Sequence, residues 1–294
     1  MNNSEILYLY DAKLTNPNGD PDEENRPRMD YEREINLVSD LRLKRYVRDY
    51  LLGQGYELFV QKVEEKGVEK SVTAETRIKK LESMDNEKIL DSLIDVRLFG
   101  ATMPIKGDNK QFIGPVQFNW GYSLNKVEIL ESSITSHFAS DDKKGQGAIG
   151  KDYRVKYSFI AFSGVISAKR GEKTRLKDSD VDILDKALKY AIPEQITRSK
   201  VGQYPRLYLR VEYTDKETIL GDLRDYIKLV EKEDGVRDIS EVALEVSELR
   251  EFLKENSHRI SKIKYIYDKK LELLVNGEVK SFKEVFDGFS LEEV

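Results

Sequence analysis

The sequence contains no cysteine, so disulfides, thiolate metal sites and a cysteine nucleophile are all excluded. Its only histidines, His137 and His258, are 121 positions apart, which argues against a histidine-based zinc site or acid–base pair. No uncharged apolar run approaches the ~18–20 residues of a membrane span. The opening MNNSEI is not a basic, apolar signal sequence, so the cytoplasm is the expected location. Proline is scarce as well. Of seven in the chain, three (Pro17, Pro21, Pro27) fall in the single stretch TNPNGDPDEENRPRMD, Thr15 to Asp30.

There the prolines and Gly19 bar helix and ladder alike, while Asn16, Asn18, Asp20 and Asp22 bring side chains suited to closing turns. A shaped loop of this length between a strand and a helix is more often functional than decorative. The alternation Asn16, Asn18, Asp20 imitates a calcium loop. However, that motif needs Gly at its sixth position and Glu at its twelfth, where this chain has Pro21 and Pro27. Neither metal nor cofactor is expected.

The 294 residues can bury a full core and hold one elaborated domain or two. The formal net charge is −5, unevenly spread. Residues 143–175 carry nine Lys or Arg against two acids, a balance of +7, and residues 212–256 carry fourteen acids against seven bases, a balance of −7. The first region suits phosphate; the second suits water or a basic neighbour.

Ile6 to Leu14 alternate as a strand. Leu43, Tyr46, Val47, Tyr50 and Leu51 line one face of a helix that Ser39 or Asp40 can cap and Gly53 can end. Lys44 and Arg48, one turn apart, are expected to project together beside that face. Residues 54–113 read as an insertion. GPVQFNWGYSLNKVEIL (Gly114–Leu130) reads as a strand, His137–Asp152 as a protruding loop and Arg154–Ser167 as a strand. Asp178 opens a second helix ended by Pro193, and Leu207–Tyr213 is a further strand. Beyond Thr214 the pattern predicts two charged helices, about Lys216–Glu233 and Ile239–Glu255, then a hairpin turning at Asn276-Gly277. The order β, α, β, β, α, β is the ferredoxin-like, α+β arrangement shared by RNA-recognition modules. YSFIAFSG (Tyr157–Gly164) does not match the base-reading signature of those modules, so RNA would be met by loops and by the edge of the first helix.

Five segments, NPNGDPDEENRPR, SDLRLKRYVR, DVRLFGA, GPVQFNWGYS and TRSKVGQYPRLYLRVEY, occur in the same order as in the helical backbone subunit of CRISPR type I Cascade complexes. The chain resembles that family of the RAMP superfamily over roughly Ile6 to Tyr213, with the I-B subtype nearest and I-C next. The resemblance implies a right hand: a modified RNA-recognition palm over 1–215, with finger insertion 54–113 and thumb loop 137–152, extended by 216–294 packed on it. It implies a non-catalytic protein whose copies assemble helically along a crRNA, joined by other Cascade subunits, with the guide then pairing to target DNA. Carried onto this chain, RNA-binding positions are Ser39, Lys44, Arg45 and Arg48 on the first helix, with Lys143 and Lys144 in the thumb as phosphate contacts. Arg198, Ser199 and Lys200 after the second helix read either as a polar turn or as further RNA contacts. Phe138 and Ile149 are the apolar members of the thumb that would wedge beside a base. The acidic loop Asp20–Glu24 would repel RNA and is expected to meet a basic patch on the next copy. Two other readings stand beside this one. Related type III backbone subunits cut target RNA with a loop aspartate, for which Asp141 and Asp142 are candidates and metal would be needed. A pure assembly protein that never touches RNA is the third, and it leaves the basic clustering unexplained.

Overall fold

The computed structural model describes residues 1–61, 63–65, 68–70, 74–79, 81, 85–104, 109–139 and 147–294. Its first strand, β1 (Ser4–Thr15), organises everything else. Leu7 and Leu9 point to one side and Ile6, Tyr8, Tyr10 and Ala12 to the other, and all six are fully buried. A strand apolar on both faces needs a layer on each. Further elements are β2 (Ile35–Val38), α1 (Asp40–Gly53), α2 (Ile94–Phe99), β3 (Val116–Phe118), β4 (Gly121–Ser123), β5 (Ile129–Ala139) and β6 (Gly147–Ile166). They are followed by α3 (Asp178–Tyr190), β7 (Gln203–Tyr213), β8 (Lys228–Glu231), β9 (Val242–Glu245), α4 (Ser247–Glu255), β10 (Ile260–Tyr267), β11 (Glu272–Val275), β12 (Glu278–Lys280) and β13 (Leu291–Glu293).

In the main sheet β1 lies between β6 and β7, antiparallel to both, with Ser4 opposite Ile166 and Thr15 opposite Val155 on the β6 side. β3 and β4 pair with the far edge of β6, and β10 pairs with β7. On the even face of β1, α1 contributes Leu43, Tyr46 and Val47 and α3 contributes Val181, Leu184 and Leu188 to one core. On the odd face Leu7 and Leu9 join Phe159, Leu207, Leu209 and Val211 in a second core. That core is closed by Leu223, Ile227, Val242, Leu244, Leu249, Leu273 and Phe286. The cover on this side is a small sheet in the order β8-β9-β11-β12. The sheet face opposite the helices is therefore filled by the chain's own C-terminal part.

Three expectations are corrected. Residues 216–255 are not two long helices: Leu223–Tyr226 is a 3₁₀ turn, β8 and β9 are strands, and only Ser247–Glu255 is α-helical. The charged residues favour helix locally, but Leu223, Ile227, Val242 and Leu244 must each reach the odd face of the main sheet, and packing overrides propensity. Gly114–Leu130 is not one strand, because the Asn125 side chain bonds the Tyr157 carbonyl at 3.2 Å and the Phe159 N–H at 2.8 Å, bending the chain between β4 and β5. The expected loop His137–Asp152 is strand at both ends, since β5 and β6 form one ladder from Ile129 opposite Val155 to Thr135 opposite Ile149. The Asn276-Gly277 hairpin stands, with φ of 54° and 76°, the two positive values a tight two-residue turn demands.

Because the 216–294 segment covers Leu7, Leu9, Leu207 and Leu209, a fragment ending at Asp215 is expected to lose solubility through its uncovered sheet. Soluble yield and light scattering check this; a monomeric, folded 1–215 fragment would contradict it.

Candidate nucleic-acid interface

The loop after β1 is pinned from both sides. On one side Asn18 Oδ1 accepts from the Ser39 N–H at 2.8 Å and from its hydroxyl at 3.0 Å, and the Tyr46 hydroxyl donates to the Pro17 carbonyl at 3.0 Å. On the other side the Asn16 N–H donates to the Ser199 carbonyl at 2.9 Å, and the Thr15 hydroxyl donates to the same carbonyl. The N-terminus of α1, the loop and the 196–202 segment thus meet at one end of the main sheet. This gathers Ser39, Ser199 and Lys200, residues 161 positions apart at the extremes, in one place.

Charge compensation decides which of the expected residues are available there. Lys44 is 6% exposed, and its ammonium bonds Asp40 at 3.0 Å and Gln117 at 2.8 Å. Arg48 bonds Asp95 at 3.1 Å and lies over the Phe99 ring. The expectation that these two project together is therefore corrected: both are folded onto the packed side of α1, holding it to the segments that follow. Ser39 caps α1, accepting from the Arg42 N–H at 3.2 Å, so its hydroxyl is already committed on both sides. Arg45 is partly exposed and paired with Asp49 at 2.7 Å. Arg198 makes two bonds, 3.1 and 3.0 Å, to Asp152, which Arg154 also holds at 2.8 Å. Burial alone would raise the Asp152 carboxyl, but the two guanidiniums outweigh it and hold it below the usual range. Lys143 and Lys144 lie outside the described residues, as do Asp141, Asp142 and the side chains of Phe138 and Ile149. Of the acidic loop, Asp20 is bonded to Arg28 at 2.8 Å and Glu24 accepts from the Tyr153 hydroxyl at 2.8 Å.

Two cations at this end have no carboxylate partner among the described residues. Lys200 donates only to the carbonyls of Asn16 and Pro17. Burial first, and then the neighbouring Arg42 charge, bring its ammonium down to about 7. Arg42 stacks over the Tyr46 ring at 4.2 Å, and its buried Nε has no hydrogen-bond partner. Tyr10 Oη, Asn16 Oδ1 and Gln203 Oε1 are likewise buried without one. Arg42 was missed in the sequence, though a signal was present. It stands three residues after the cap Ser39 and four before Tyr46, on the side of α1 that faces the loop. The nearby side chains of Leu14, Leu41, Ile196 and Val201 are exposed. Two uncompensated cations and an apolar margin can receive a phosphate with its sugar and base, without selecting a sequence. Among the described residues there is no group of three or more His, Asp or Glu placed to hold a metal, and no helix long and apolar enough to cross a membrane.

Comparison with known proteins gives consistent matches. The family model described as CRISPR-associated protein Cas7 matches residues 2–247. A curated CRISPR-associated protein Cas7 from Haloferax volcanii is 34% identical over 307 residues, spanning 95% of this chain and 90% of its own. Among solved structures, a chain of a pre-nicking CRISPR RNA-guided surveillance complex superposes with a TM-score of 0.55 at 15% identity, covering 97% of this chain and 98% of that one. A chain of a second CRISPR RNA-guided surveillance complex gives 0.50 at 14% identity, with 97% of each covered. At such identities the structural likeness concerns the fold.

Proposed function

Since this chain belongs to the CRISPR-associated Cas7 family, we propose that it is a non-catalytic backbone subunit of a type I surveillance complex. Its copies line a crRNA and present it for pairing with target DNA. On this reading β7-β1-β6-β3/β4 with α1 and α3 is a modified RNA-recognition palm, 54–113 the finger and the β5–β6 hairpin the thumb. What supports the palm is the strand order fourth, first, third, second with both helices on one face. The sheet face that an ordinary module offers to RNA is filled here by the C-terminal cover, which leaves the loop end of α1 as the place for the strand.

The observation that carries the reading is the pair Arg42 and Lys200. Surrounding cations are neutralised by Asp40, Asp49, Asp95 and Asp152, whereas these two face the loop without a carboxylate. Arg45 and Arg198 remain at the margin as secondary contacts, each already shared with an acid.

Lys200 also gives the reading a pH signature. Its folded value, about 7, lies below its unfolded one, so the folded state binds fewer protons between about pH 7 and 10. The stability cost of burying the charge is therefore full below pH 7 and is relieved as the pH rises. A bound phosphate favours the charged form, so RNA binding takes up a proton. Affinity is expected to fall by about tenfold from pH 6.5 to 8.5, and Lys200→Arg, always charged, should flatten the profile. Fluorescence anisotropy at fixed ionic strength measures this; the same pH slope in Lys200→Arg would remove Lys200 from the site.

A further inference from the structure

A second set of uncompensated cations lies at the opposite end of the sheet. The short helix Ala168–Thr174 follows β6 where β1 begins: Ser4 is opposite Ile166, and the Ala168 N–H donates to Asn3 at 2.8 Å. The loop that Arg42 and Lys200 face is at the other end of β1, about 40 Å away at ~3.4 Å per residue. Around the short helix most cations are matched: Lys169 with Glu217 at 2.7 Å, Arg175 with Asp91 at 3.2 Å, and Lys216 with Glu172 at 2.5 Å. Arg170 and Lys173 are exposed and have no carboxylate partner among the described residues. Three positions apart on the helix, they face the same way. With Thr174 they form one wall of a cavity of about 350 Å³, whose other wall is Gln111, Phe112 and Ile113.

We propose that this cavity is a second strand site, taking one nucleotide of a single-stranded nucleic acid with its phosphate on Arg170 and Lys173 and its base against Phe112 and Ile113. Two cations alone would describe a solvated surface. What distinguishes this place is that they overlook a concavity of ligand size with an apolar wall, in which Ile113 is 56% exposed. An acidic peptide would neutralise the charges and leave that wall unused. A nucleotide uses both, since any base offers a stacking face and any backbone a phosphate. The distance from the α1 end means that the occupant is either a different strand from the guide or a remote part of it.

The two sources are separable with the whole 294-residue chain. In an Arg42→Ala/Lys200→Ala background, which silences the α1 end, residual binding of unstructured RNA and DNA oligomers is measured at low salt. Adding Arg170→Glu/Lys173→Glu is expected to reduce that residual binding at least tenfold. A loss confined to DNA identifies the target strand, and a loss confined to RNA identifies the guide. Ile113→Asp, at an exposed position, should reproduce a several-fold loss with an unchanged thermal melt. Residual binding that is the same with and without the charge reversal overturns the proposal. So does a charge reversal that changes only self-association in the absence of nucleic acid, which would give the surface to a second copy.

Discussion

Replacing both Arg42 and Lys200 with Ala is expected to weaken binding of single-stranded RNA by on the order of 10²-fold, evenly across sequences. Each removes a hydrogen-bonding charge worth roughly 1.5–3 kcal/mol to an anionic partner. The residues sit on two elements 158 positions apart that meet only through the loop Asn16–Asn18, so one phosphate path can touch both. If each meets one phosphate, the dependence of log affinity on log salt should flatten by about 1.4, at ~0.7 per contact for a single strand. Arg45→Ala should change the slope by less, because Asp49 already shares its charge. Anisotropy titrations over a range of salt provide both numbers. Unchanged affinity and slope in the double variant, or an equal effect from Arg45→Ala alone, would contradict the assignment.

The second large effect is on folding. Asp95 is fully buried and accepts from Arg48 at 3.1 Å, from the Phe59 N–H at 2.8 Å and from the Val60 N–H at 3.1 Å. It ties α1 and the segment after it to α2. Asp95→Ala leaves a buried guanidinium and two backbone donors unmatched, a loss of about 3–5 kcal/mol for breaking a buried pair from one side. Arg48→Met in the same protein should recover part of it by removing the stranded charge. Urea denaturation of the single and double variants tests the coupling. A single-variant loss below about 1 kcal/mol would show that Arg48 is not held as its geometry implies.

How much of this was legible in the sequence follows from what each pattern encodes. The alternation of Ile6 to Leu14, the 3.6-residue spacing of Leu43 to Leu51 and the positive-φ Asn276-Gly277 pair are local signals, and each element formed where it was expected. The family resemblance rested on motifs spread along the chain, and the family match over 2–247 agrees with it. What local pattern cannot carry is the identity of neighbours. Lys44 and Arg48 were placed correctly on α1, yet their partners Gln117 and Asp95 are 73 and 47 positions away, and those turn two apparent surface cations inward. The same blindness hid Arg42, whose value lies in the carboxylate it lacks. Residues 216–255 misled for the converse reason: their charges favour helix locally, while their few apolar residues are needed one by one on a sheet formed far earlier in the chain.

The most direct measurement is to purify the untagged protein with its native assembly from the host cell and sequence the small RNA that accompanies it. The account predicts a single class of short RNAs with constant repeat-derived ends and variable interiors, bound to several copies of the protein per molecule. Purification without RNA, or with a random sample of cellular fragments, would contradict it.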